Sequence, residues 1–458
     1  MPISLENLLN SKRSQQFELY DKYLNHQLLN VLKTLGFAKK YVRAEDQYLY
    51  DADGIRYLDL LSGYGVHTLG RNHPHVVATL KEALDMNLAN MVQFDAPLLA
   101  ACFAEKLTQF LPKHLSKFFF CNSGTEAIEG AIKFARAATN RSKLLTCSAA
   151  FHGLTTGALA LNGTEIFKKD FYPLLDATMI PFNDLAALED ALKTKQYACF
   201  VVEPIQGKTL TIPDQDYLPQ VSKLCHKYNT LLIIDEIQTG VGRTGKFLAH
   251  EHWPDTEADI VTMAKTLSGG LIPVGVIAIK PWIFSKTYSN MERAVIHSCT
   301  FGRNELAMAA GIATLQIIEE SNAIATAATI GAQLLTLLQE QLGHFEMVKE
   351  VRGKGMMLGI EFCQPTSLGL KMGWSCLETA NKGLFSQLIV IPLFRDFHML
   401  TQVAGHNSHV IKLLPPITLT EQDIVEVVAA FDTVVTQAHR FPGAIWDLGK
   451  TLVKHALN

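Results

Sequence analysis

Lys265 follows the apolar run "IVTMA" and precedes "TLSGG", so a charged side chain stands where a strand-like segment gives way to a pliable turn. Such a lysine is either solvated in a loop or held at a cavity wall as a nucleophile, because a buried one must be paired, neutralised or hydrogen-bonded. Taken alone, the stretch favours the solvated reading, since lysine is seldom buried. Three further stretches end on polar groups. In "CNSGTEAIEGAIKFAR", Ser123, Gly124 and Thr125 open a helical segment. Free N–H groups at the positive end of a helix dipole make a ready phosphate site, although Ser and Thr there are also ordinary N-caps. "LLIIDEIQTG" drives four apolar residues into Asp235 and Glu236, and an acid at the end of a buried strand needs a cationic partner to stay charged. "AAFHG" places Phe151 and His152 before a glycine, where a ring either packs in the core or stacks on a flat ligand.

No one of these stretches decides the chemistry; their combination does. A phosphate cradle, a buried acid, an aromatic plate and a nucleophilic lysine are together what pyridoxal 5′-phosphate requires. The lysine forms a Schiff base with the aldehyde, and the acid keeps the pyridine nitrogen protonated so that the ring can accept electrons.

The elements around these residues alternate. Residues 14–36 have apolar positions at helical spacing, and "QYLYDADGIRYLDLLSG" reads as a hairpin turning at "DADG". "HVVATLKEALDMNLAN" and "TEAIEGAIKFARAAT" read as helices. "KFFFC", "KLLTC", "YACFVVE", "TLLIID" and "GVIAIK" read as strands. Near-continuous apolar strands between amphipathic helices predict an α/β fold whose sheet is mostly parallel and covered on both faces. A long helical region covers residues 304–342, after which "MVKEVRGKGMMLGIEF" and "HVIKLLPPITLTEQDI" indicate a smaller α/β module. The expected division is an N-terminal segment, 1–74, a large domain, 75–325, and a C-terminal small domain, 326–458.

With 458 residues, 48% apolar and 19% charged, the composition is that of a well-packed globular protein. A net charge of −3 gives no electrostatic case for nucleic acid or for an anionic membrane surface. No apolar run reaches the length needed to span a bilayer. Eight cysteines stand singly, without a C-x-x-C pair, so reduced core thiols are expected and no metal site, in a cytoplasmic protein.

The sequence resembles the class III pyridoxal-phosphate aminotransferases, the group that includes ornithine, acetylornithine, 4-aminobutyrate and putrescine aminotransferases. "NSGTEA", "FHG", "VEPIQG", "DEIQTGVGRTG", "AKTLSGG" and "TFGRN" occur in the family's order. The resemblance implies fold type I, with a large and a small α/β domain. It also implies that Lys265 is the Schiff-base lysine and proton shuttle, and that Asp235 pairs with the pyridinium nitrogen. Ile237 and Phe151 would pack on opposite ring faces, with His152 beside them, and Gln238 would reach the ring hydroxyl. Ser123, Gly124 and Thr125 would hold the phosphate, and Glu203 would bond within the network around Gln238 and Asp235. Thr300 would reach the phosphate of a neighbouring subunit, which implies a homodimer with shared sites, or a tetramer of paired dimers.

On the substrate side, where Tyr48 and Tyr64 are also placed, the pattern departs from the ornithine and acetylornithine enzymes. Leu154 replaces an arginine after "HG", Lys208 a glutamate after "EPIQG", and Lys412 the arginine of "VIRFAPP". Leu154 adds apolar surface worth about 1.5–3 kcal/mol to a substrate that buries it. Lys412 is either a point-charge anchor for a carboxylate or a solvated lysine, and Lys208 stands open in the same way. The expectation is a transaminase for a terminal amine or aldehyde with an apolar tail, with glutamate and 2-oxoglutarate as the second pair. Diamine or ω-amino-acid transamination, a same-fold aminomutase or decarboxylase, and a non-catalytic binding protein are the rivals.

Overall fold

The structure, a computed structural model, describes residues 3–92, 94–405 and 408–440, with 442, 443 and 446. Its centre is a seven-stranded sheet in the order Lys117–Cys121, Gly275–Ile279, Ile260–Met263, Leu231–Asp235, Tyr197–Val202, Lys143–Cys147, Ala177–Ile180. Only Gly275–Ile279 runs antiparallel to its neighbours; the other pairings are parallel. Every residue of Tyr197–Val202, Leu231–Asp235 and Ile260–Met263 is buried. That burial accounts for continuous apolar runs in place of an alternating pattern. Ala177–Ile180, four residues at the sheet edge, carried no such run and was not expected.

Helix Gly124–Thr139 lies across one face of this sheet with seven buried residues. It comes so close that a Cβ at Gly130 would lie 2.4 Å from Ile277 Cδ1, so glycine sets the approach there. The hairpin Tyr48–Asp51 and Arg56–Asp59 forms as expected, and the sheet it belongs to also takes in Met399–Leu400, parallel to Arg56–Asp59. A third, antiparallel sheet joins Val348–Lys354, Met357–Phe362, Val410–Leu413 and Gln402–Val403.

The helical region after residue 304 is two helices, Glu305–Glu320 and Ala323–Leu342, bent by 65°. Asn322 causes the break: its φ of 56° lies in the left-handed region, which asparagine tolerates and a helix interior does not. Similarly, the first helical stretch is broken: one helix ends at Tyr23, and Asn25 caps the next, His26–Leu35, through Leu28 N. No single helix among the described residues is long and apolar enough to cross a membrane. Arg243 ties the parts together: fully buried, it donates to Thr68 Oγ1 at 2.8 Å and to the carbonyls of Met356 and Pro415.

Candidate active site

The carboxyl ends of the parallel strands open onto a cavity of about 640 Å³, the position at which open α/β sheets bind ligands. Asp235 is the last residue of its strand, Glu203 follows Val202, Ser123 follows the strand ending at Cys121, and Lys265 lies two residues beyond Met263. All four line the cavity, with Gly124, Thr125, Phe151, His152, Ile237, Gln238, Tyr64, Lys208 and Lys412.

Lys265 has a φ of 48°, an unusual conformation for a side-chain-bearing residue, and its side chain faces the cavity. The solvated-loop reading is therefore overturned. Burial pulls its amine down to about 8, against the opposing charges of Asp235 and Glu203. A lysine in that range is a usable nucleophile and base.

Asp235 is 4% exposed, and its Oδ2 lies 2.6 Å from His152 Nδ1. Its Oδ1 accepts from Ile237 N at 3.0 Å and from Thr262 Oγ1 at 3.4 Å. Burial alone would lower the His152 imidazole, but the Asp235 hydrogen bond and charge raise it overall. His152 is therefore the hydrogen-bonding partner of this buried acid. Asn162 fixes this turn, accepting from His152 N at 3.0 Å and donating to Gly153 O at 2.9 Å. Sequence reasoning passed over Asn162, although a polar residue inside "ALALNGT" was a visible signal.

Glu203 does not bond within a network of Gln238 and Asp235. Its two oxygens accept from the backbone N–H groups of Phe151, at 3.0 Å, and Gly207, at 2.8 Å. It holds two loops together, and burial raises its carboxyl above the usual range. Gln238 donates to Tyr64 O at 3.0 Å, while its Oε1 is buried and without a donor. Ser123 caps its helix through Glu126 N at 3.3 Å. The N-cap reading therefore holds, and the same residue lines the cavity.

The substrate-side residues divide. Lys412 is 3% exposed and donates to Gly207 O at 2.7 Å, so it is not a solvated lysine. Burial and the nearby Lys265 and Lys208 pull it down to about 7. Lys208 lies over the rings of Phe151, at 4.5 Å, and Phe167, at 5.3 Å. Tyr64 lines the cavity, with Lys412 Nζ 5.9 Å from its ring. Tyr48 does not: its hydroxyl is committed to Asp423 at 2.5 Å. Leu154 is 57% exposed and outside the cavity lining, as is Thr300, which is exposed. The apolar wall comes from Val66 and from Leu271, Ile272, Pro273 and Val274, which the sequence reading had not singled out. The "LIPV" between Gly270 and Gly275 was the available signal.

The cavity suits a flat, anionic, hydroxyl-bearing ring. It offers an acceptor lacking a donor at Gln238, a buried acid at Asp235, and a cradle at Gly124 so tight that a Cβ would lie 2.9 Å from Ile237. The chain belongs to the class III aminotransferases, whose family model matches residues 34–435. It is 36% identical to an acetylornithine aminotransferase of Bacillus cereus, covering 86% of this chain and 94% of that one. It is 32% identical to aminotransferase PigE of a Serratia species over 94% of this chain, which spans about half (54%) of that longer protein. Among solved structures it is similar to an amine transaminase from an uncultivated Pseudomonas species in its pyridoxal-phosphate-bound form. The TM-score is 0.77 at 27% identity, over 88% of this chain and 95% of that one. The enzyme is thus a pyridoxal-phosphate-dependent aminotransferase of fold type I.

Proposed function

We propose that the enzyme moves an amino group between glutamate with 2-oxoglutarate and a terminal amine or aldehyde carrying an apolar tail. The observation that carries this reading is the make-up of the cavity beyond Lys265. The lining combines an apolar set, Val66 and Leu271–Val274, with two lysines, Lys208 and Lys412. The acids of the lining, Glu203 and Asp235, are already committed to backbone amides and to His152. A carboxylate-bearing donor has cations to meet and an apolar tail has a wall, whereas the second ammonium of a diamine has no free acid.

Bound pyridoxal 5′-phosphate supplies an aldehyde carbon for the amine and a conjugated ring that takes up an electron pair. Lys265 Nζ would hold the cofactor and, when free of it, would serve as the base that takes and returns the substrate's proton. Asp235, fixed by His152, would keep the proton on the pyridine nitrogen. Gln238 Oε1 would receive the ring hydroxyl, Ile237 and Phe151 would enclose the ring, and Ser123, Gly124 and Thr125 would hold the phosphate. Thr300 completes that phosphate site from a second copy. A homodimer is further supported by exposed apolar side chains near it, Met291 at 94%, Val295 at 66% and Phe301 at 55%.

The test is a half-reaction series on the holoenzyme. Glutamate should convert the bound cofactor to its amine form, and aliphatic aldehydes should return it. A preference for diamines such as putrescine over aliphatic amines would overturn the substrate assignment.

A further inference from the structure

Ser62, Gly63, Tyr64 and Gly65 all have positive φ, at 48°, 62°, 63° and 85°. A left-handed turn of four residues is unusual, because outside glycine the Cβ crowds the following carbonyl oxygen and such residues occur singly. Strain of this kind persists only where its surroundings over-determine it, and it gathers at functional sites. Here the surroundings do so. Asp59 Oδ1 accepts from Leu61 N at 3.0 Å and from Ser62 N at 2.8 Å, and Gly65 N and Val66 N close the turn onto Leu61 O and Ser62 O. Thr266 Oγ1, next to Lys265, donates to Gly65 O at 3.1 Å. Both Gly63 and Tyr64 line the cavity.

What the turn delivers there is a carbonyl. Tyr64 O accepts from Gln238 Nε2 at 3.0 Å. A carbonyl only accepts, so the amide has to turn its NH2 group to Tyr64, and half a rotation would set two oxygens against each other. The rest of the side chain runs between two glycines: a Cβ at Gly65 would lie 3.7 Å from Gln238 Cγ, and one at Gly207 2.6 Å from Gln238 Oε1. We propose that the left-handed turn Ser62–Gly65 is a positioning device for the ring hydroxyl of the cofactor: through Tyr64 O it locks the Gln238 amide in the one orientation that meets that hydroxyl. Tyr64 thereby acts through its main chain, apart from anything its ring contributes to substrate binding. The inference rests on the assignment of Gln238 to the ring hydroxyl and adds the group that holds it.

Gly65 separates backbone handedness from bulk. The nearest atoms to a Cβ there, Leu414 Cδ1, Gln238 Cγ and Arg243 Nε, lie at 3.6–3.8 Å, so the position has room and its glycine answers to φ. Asparagine tolerates that φ and valine, of similar size, does not. The experiment is titration of the full chain, stripped of cofactor, with pyridoxal 5′-phosphate and with 3-deoxypyridoxal 5′-phosphate, which lacks only the ring hydroxyl. The readout is the ratio of the two dissociation constants, with thermal unfolding of each apo variant as the check on folding. Wild type should favour the hydroxyl-bearing form at least about tenfold more than Gln238→Leu does. Gly65→Asn should keep the wild-type ratio to within about twofold, and Gly65→Val should fall to that of Gln238→Leu. Should Gly65→Val not fold, Gly63→Val against Gly63→Asn makes the same comparison, since a Cβ at Gly63 would also meet nothing nearer than 3.5 Å. A valine variant that keeps the wild-type ratio, or an asparagine variant that loses it as fully, overturns the positioning role and leaves Gln238 assigned. Equal ratios in wild type and Gln238→Leu overturn both.

Discussion

His152 Nδ1 and Asp235 Oδ2 meet at 2.6 Å in the buried floor of the site, at the ends of two strands separated in the sheet by Tyr197–Val202. The pair is charged on both sides only while His152 keeps its proton. Its imidazole is raised above the ordinary value by Asp235, so its contribution to stability is complete below pH 6.5 and is lost as pH rises through the raised value. His152→Gln, which keeps a donor but no charge, should therefore destabilise the protein by about 1–3 kcal/mol at pH 6. By pH 9 the difference from wild type should narrow. Urea unfolding at the two pH values reads this directly, and an unchanged difference would assign His152 a neutral role.

Lys265→Ala should lower turnover by at least about 10²–10⁴-fold, the range for a positioned proton-transfer group. Borohydride should no longer fix the cofactor to the chain. Because the amine lies at about 8, its neutral, nucleophilic fraction grows with pH up to that value. Capture of pyridoxal 5′-phosphate by the apoenzyme should accelerate about tenfold per pH unit below 8 and level off above. Absorbance stopped-flow measurement checks the profile.

Much of this was legible in the sequence because buried parallel strands must be apolar, so a charge at their ends stands out. Asp235 and Lys265 were visible for that reason, Glu203 came from the family resemblance, and the structure gathers all three in one cavity. What stayed hidden depends on where side chains point after the chain folds. Nothing in "FHGLTT" reveals that Leu154 turns outward, and nothing in "VIKLLPP" reveals that Lys412 finds Gly207 O, 205 positions away. Glu203 was placed in the right neighbourhood with the wrong partners, because backbone N–H groups carry no sequence signature. The bend at Asn322 was missed because the flanking segments are both strongly helical and one left-handed residue is enough to part them.

Gly124→Ala should loosen the cofactor more than the fold. The added Cβ would lie 2.9 Å from both Ile237 Cδ1 and Ile237 Cγ2, so the isoleucine must shift into the cavity. Its backbone is helical, and alanine is otherwise favoured there. Spectroscopic titration should show at least about tenfold weaker binding of pyridoxal 5′-phosphate, equivalent to ~1.4 kcal/mol, with thermal unfolding of the apoenzyme changed little.

Lys208→Met should separate the two substrates. It removes the ammonium resting on Phe151 and Phe167 and keeps an apolar stem of similar length. The KM for glutamate should rise about tenfold, while kcat/KM for an aliphatic aldehyde should hold or improve. A parallel loss on both substrates would assign Lys208 to the support of Phe151 instead.

The apolar wall yields the most direct check on specificity. Leu271 lines the cavity beside Ile272, Pro273 and Val274, whereas Leu154 is exposed outside it. Leu271→Ala removes contact surface from a tail-binding wall, and even one methylene in such a wall is worth ~1–3 kcal/mol, or about 10–200-fold in kcat/KM. Its kcat/KM for a medium-chain aldehyde should fall by at least about tenfold, while that for glutamate should be unchanged. Leu154→Ala should alter neither. If Leu154→Ala instead reduced the aldehyde rate and Leu271→Ala did not, the tail would run toward the mouth of the site, past Gly153.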